Sequence, residues 1–114
     1  MALPPHGTLL GALPPAGAEE RFERLLQTDA ACIERIVSNG QASPPGFWYD
    51  QPDDEWVTLV AGQAELLFDD AGAHTRLALR AGDWVTIPAR LRHRVESTSA
   101  DAVWLAVHLR TAPR

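Results

Sequence analysis

The sequence predicts an all-β fold, a sandwich or a barrel, and three observations carry that reading. From about residue 31 onward, short apolar stretches rich in Val, Ile, Leu and Trp are cut at close spacing by Gly, Pro, Asp and Asn. Within several of these stretches polar and apolar residues alternate, the period of a half-buried strand. Only one segment, near the N-terminus, carries helical spacing. With 114 residues the chain fits one domain of roughly 100–200 residues. Its 46% hydrophobic content is that of an ordinary globular protein, which argues against disorder.

Taken in order, residues 1–17 hold four prolines and three glycines, so no regular structure is expected beyond a short edge strand at 8–10. Residues 18–27 are expected to form one short helix. Phe22, Leu25 and Leu26 fall on one face at three- and four-residue spacing, and Glu19, Glu20 and Glu23 suit its N-terminal half. The expected division is an N-terminal extension with this helix over 1–28 and a barrel over 29–112. Strands are expected near 31–37, 46–50, 55–61, 63–69, 75–79, 83–88, 91–97 and 102–109. The signals between them include Asn39-Gly40, Pro44-Pro45-Gly46, Ala61-Gly62, Asp70-Ala71-Gly72 and Ala81-Gly82-Asp83.

Alternation assigns faces. Glu55, Val57 and Leu59 share one face of their strand, and Trp56, Thr58 and Val60 share the outward one. Leu91, His93 and Val95 share a face, opposite Arg90, Arg92, Arg94 and Glu96, which make the wet side. His93 therefore points inward. In the last strand, Trp104, Ala106 and His108 share a face against Val103, Leu105 and Val107, and alternation alone leaves open which of the two is the inner one.

Charge and composition exclude several classes. The net charge is -5, with arginine the only strongly basic residue type, so no broad positive field attracts nucleic acid. A single cysteine, Cys32, makes no internal disulfide and no thiolate metal site by itself. Apolar runs fall far short of the roughly 18 residues a membrane helix needs. The N-terminus does not read as a signal peptide, and a cytoplasmic location is the expectation. Walker loops, dinucleotide glycine patterns, nucleophile elbows and Cys-x-x-Cys pairs are absent from the sequence.

Two spaced motifs carry a resemblance. Gly46-Phe-Trp-Tyr-Asp-Gln-Pro-Asp-Asp-Glu55 is followed by Gly62, and Gly82, Pro88 and His93 follow at intervals of six and five. The chain resembles the cupin superfamily, small double-stranded β-helix barrels of the jelly-roll type. It departs from the family pattern where Tyr49 and Gln51 stand at the two histidine positions of the first motif. It departs again at Arg90, where the family has a glycine, and at Ser97, where it has an asparagine. The resemblance covers about residues 31–109.

The resemblance implies that the two motifs meet in the barrel, bringing Glu55 to His93. A buried carboxylate needs a partner. A divalent ion (Fe, Mn, Ni or Zn) is one, and the imidazole itself is the other. Gln51 offers an amide oxygen as a further ligand. His108 replaces a lost donor if its face is the inner one. Tyr49 ligates only as a phenolate, so its expected part, with Glu55, is at the substrate. Phe47 and Trp48 are expected to roof the pocket. Cys32 is read as a packed small residue, and His6 and His74 as solvated. Two functions follow: a metal-dependent enzyme acting on a small polar molecule, of isomerase or dioxygenase type, or a metal-free ligand-binding module. Exposed edges and four tryptophans lead us to expect a homodimer, without nucleic acid or membrane partners.

Overall fold

A computed structural model of the chain describes residues 2–110. It contains eight strands: β1 (Arg21–Gln27), β2 (Ala31–Val37), β3 (Asp54–Ala61), β4 (Gln63–Asp70), β5 (Ala73–Arg80), β6 (Trp84–Ile87), β7 (Arg92–Thr98) and β8 (Val103–Leu109). They form a five-stranded sheet in the order β1-β2-β8-β3-β6 and a three-stranded sheet in the order β5-β4-β7. All pairings are antiparallel. The inner faces enclose a core of Val57, Leu59, Ala64, Leu66, Leu79, Ile87, Ala102, Trp104 and Ala106. The expected all-β architecture is present.

The expected helix over 18–27 is not. Residues 21–27 are β1, paired with β2 from Arg21↔Val37 to Gln27↔Cys32. The register slips between Arg24 and Leu26. One extra residue at that point breaks the period of two and imitates the three- and four-residue spacing of a helix. Glu20 and Glu23 serve as partners for Ser38 and Arg35 rather than as helix-dipole charges. Residues 111–112 of the expected barrel lie outside the described residues.

The strand expected at 46–50 shrinks to one bridge, Tyr49↔His93. Its two backbone bonds are 2.7 and 3.1 Å long. Arg94 holds the approach to this bridge, donating to the carbonyls of Ser43, Pro44 and Phe47 at 2.9–3.3 Å. The arginine read as wet is thus mostly covered, and it fixes the segment that delivers Tyr49. Trp56 does face outward, stacked on Trp84 with ring centroids 6.2 Å apart.

The turn at residues 88–91 accounts for one departure from the motif. Leu91 N–H donates to Pro88 C=O at 3.1 Å, and Arg90, third in the turn, has φ +69°. A type II turn needs positive φ there, which favours glycine. Arg90→Gly should raise stability by about 0.5–1 kcal/mol, because relief of the left-handed strain outweighs added unfolded-state freedom. The exposed Arg90–Asp50 contact at 3.5 Å offers little to lose. Thermal unfolding checks this: a melting temperature below wild type contradicts it.

Candidate functional site

Between the sheets lies a cavity of about 80 Å³ with mainly apolar walls, including Ile36, Val57, Leu66, Ile87 and Trp104. Glu55, His93, His108, Gln51 and Tyr49 line it together. The topology explains the convergence. Glu55 sits on β3 directly opposite His108 on β8, and His93 reaches in from β7 of the other sheet. This places Trp104, Ala106 and His108 on the inner face, settling the choice alternation left open.

His93 is buried, and its Nδ1 lies 2.8 Å from the carbonyl oxygen of Leu91. A carbonyl only accepts, so the proton is assigned to Nδ1 and the Nε2 lone pair is free. Burial lowers the imidazole pKa, and the Leu91 bond offsets this only in part. The ring is stacked on Tyr49 with centroids 5.2 Å apart.

Nε2 of His93 lies 3.7 Å from the Glu55 carboxylate, too far for a hydrogen bond. Glu55 is 8% exposed, and among the described residues its carboxylate makes no hydrogen bond. Burial raises its pKa most, the nearby His108 lowers it, and Glu34 raises it. Tyr49 is also raised, by burial first and then by the carboxylates of Glu20, Glu55 and Glu34. Its phenol therefore stays protonated, which suits a hydrogen-bond donor and not a phenolate ligand.

Sequence reading missed two lining carboxylates. Glu34 on β2 is paired with His108, its Oε1 3.0 Å from Nε2. Glu20 precedes β1 and is held by the Ser38 hydroxyl, which also accepts from Trp104 Nε1 at 3.2 Å. Alternation groups Glu34 with Ile36, but no local signal says that this face is the inner one. Glu20 was hidden by the helix reading. Among the described residues, no three His, Cys, Asp or Glu side chains are grouped closely enough to hold a metal ion.

Phe47 and Trp48 are not among the cavity-lining residues. Phe47 packs edge-on against Tyr49 at 4.8 Å. Trp48 lies against Arg92 and His74, at 5.1 and 5.5 Å. Neighbouring residues of an extended segment point to opposite sides, so delivering Tyr49 to the cavity turns Trp48 away from it.

A family model described as Cupin domain matches residues 35–108. A "putative mannose-6-phosphate isomerase" from Ralstonia eutropha JMP134 is 47% identical over 95% of this chain and 100% of its own, with a TM-score of 0.88. A cupin superfamily protein from Desulfitobacterium hafniense is 20% identical over 96% of this chain and 95% of its own, with a TM-score of 0.75. Oxalate decarboxylase of Bacillus subtilis, studied for its Mn(II) centres, is 17% identical over 83% of this chain and 26% of its own, with a TM-score of 0.65. No curated protein matches. The two remote likenesses bear on fold alone, but the matched family model spans most of the chain and agrees with the motif spacing and the barrel: the chain belongs to the cupin family.

Proposed function

We propose that this cupin binds a divalent metal ion in the barrel, through His93, Glu55, His108 and Gln51, and acts with it on a small polar molecule. The observation that carries the reading is the pair His93 and Glu55, 3.7 Å apart in the cavity lining. His93 presents a free Nε2 from a ring anchored through Nδ1, the usual support of a metal-bound imidazole. The Glu55 carboxylate, bare of hydrogen bonds among the described residues, is aimed at the same space. A cation there offsets the burial of the carboxylate. Two nitrogen and two oxygen donors suit Fe, Mn, Ni or Zn alike.

The fit is complete only if His108 gives up Glu34. His108 is paired with Glu34 at 3.0 Å, no three-member cluster stands ready among the described residues, and Glu34 would be the acceptor that His108 leaves. The ion would supply Lewis-acid chemistry, or dioxygen chemistry if iron. The chain's residues do the rest: the Tyr49 phenol donates to the bound molecule, His93 stays neutral, and the apolar walls exclude water. The same His108–Glu34 pair favours a second reading, a metal-free binding module in which Glu55 and His93 anchor the ligand. A homodimer in the cytoplasm completes the proposal.

Elemental analysis tests it, on tag-free protein incubated with Fe(II), Mn(II), Ni(II) or Zn(II), beside His93→Ala and Glu55→Gln. Near-stoichiometric metal is expected in the wild type and background levels in both variants. No uptake of any of the four ions contradicts the metal reading and favours the binding module.

A further inference from the structure

We infer that the cavity takes a small molecule without negative charge, whose polar end is a hydroxyl or carbonyl and whose short body is apolar, and that it rejects phosphate esters. The inference deepens the proposed function and rests on its placing the ligand in this cavity.

Charge is the first support. Among the described residues, three carboxylic side chains, Glu20, Glu34 and Glu55, line the space, and no arginine does. The chain has no lysine at all. Three arginines of the barrel are committed elsewhere, Arg35 to Glu23 and the N-terminal segment, Arg92 to Asp69, and Arg94 to Glu96 and the 43–47 segment, while Arg24, paired in register with Glu34, is exposed and does not line the cavity. A dianionic phosphate entering here would lose its hydration and meet no fork of donors to replace it.

An independent support is the central side chain. Glu55 is nine-tenths buried, aimed into the cavity and, among the described residues, without a hydrogen bond. An acceptor so placed is complemented by a hydroxyl donor or a cation, and is opposed by a second anion. Size is the third support. The cavity of about 80 Å³ is well below the roughly 300–1,000 Å³ of sites for larger ligands. Walls such as Leu66, Val57 and Ile87 favour a few carbons, not a polyanion.

The test uses hydroxyacetone and hydroxyacetone phosphate, which differ only in the phosphate. Each is titrated into ¹⁵N-labelled full-length protein, with and without Zn(II), and the Trp104 indole N–H is followed. Zn(II) uptake is measured separately on the same samples, so its failure counts against the metal reading and leaves the charge preference to be judged in the metal-free arm. Hydroxyacetone should shift the indole saturably and bind at least about tenfold more tightly than its phosphate, the direction expected of uncompensated charge in a low-dielectric site. In the isosteric Glu20→Gln/Glu34→Gln variant the gap should narrow. Three results overturn the inference: phosphate binding as tightly as or more tightly than hydroxyacetone, no saturable shift with hydroxyacetone, or a gap unchanged in the double variant.

Discussion

Replacing Arg35 by methionine will destabilise the protein by about 2–4 kcal/mol, a large part of the 5–15 kcal/mol available to a domain. Arg35 lies on the outer side of β2, opposite Glu23 of β1, yet it is 4% exposed. Its covering is the N-terminal segment. The guanidinium donates from Nε to Glu23 at 2.8 Å, from Nη1 to the carbonyls of Leu9 and Gly11 at 3.1 and 2.8 Å, and from Nη2 to that of Ala12 at 3.3 Å. Methionine fills much of the volume but leaves three carbonyls without their donor. Glu23 is half-exposed and can recover water, which keeps the loss below that of a fully buried pair. Urea unfolding gives the magnitude.

Arg35→Lys should fall between wild type and methionine, since an ammonium keeps the charge but not the planar fork. Hydrogen exchange should also quicken in residues 9–12 before it does in β3 or β8. If methionine costs less than 1 kcal/mol by the same bookkeeping of unsatisfied groups, the segment is held by other contacts.

Arg35 also marks where sequence reading ran out. Motif spacing located Glu55, Gly62, Gly82, Pro88 and His93, because each answers a local need: a turn with positive φ, a stiff corner, or an inward position on an alternating strand. Gln51 and His108 line the same cavity as the motif residues. The features that went unread depend on distant segments. Leu9, Gly11 and Ala12 cover Arg35 through carbonyl oxygens, which any residue supplies, so no side-chain pattern announces the contact. Glu34 becomes a cavity residue only because β2 pairs with β8, about seventy positions away. The bulge in β1 removed the alternation that would have exposed it as a strand. Trp48 and Tyr49 are adjacent, and the sequence alone did not tell which one enters the barrel.

Gly62 joins the two kinds of information, because its role was only half legible. The Ala61-Gly62 turn signal by itself implies a tight hairpin after the glutamate strand, where positive φ is often needed. The φ is +83°, but β3 and β4 belong to different sheets. Gly62 is the corner where the chain crosses from one to the other, resting on the turn before β8. A Cβ added there would lie 2.4 Å from Ser99 Oγ, 2.8 Å from Ala102 Cα and 3.0 Å from Ala102 N. The hydroxyl can rotate, at the expense of its 2.9 Å bond from Gln63 N–H. The Ala102 backbone has less freedom: it is fully buried, and its carbonyl accepts from Ser38 N–H at 2.9 Å.

Gly62→Ala should therefore cost about 2–5 kcal/mol, the sum of left-handed strain and overpacking against backbone. Gly82→Ala is the internal control. Gly82 is also a motif glycine and its φ is +97°, but no atom lies within 4 Å of its added Cβ. Its loss should be limited to about 1–2 kcal/mol of backbone strain. Denaturation of the two variants side by side separates the terms, since the strain is common to both and the collision belongs to Gly62 alone. Equal losses would mean that the corner relaxes away from Ala102 without resistance, and that positive φ is all the first motif's glycine supplies.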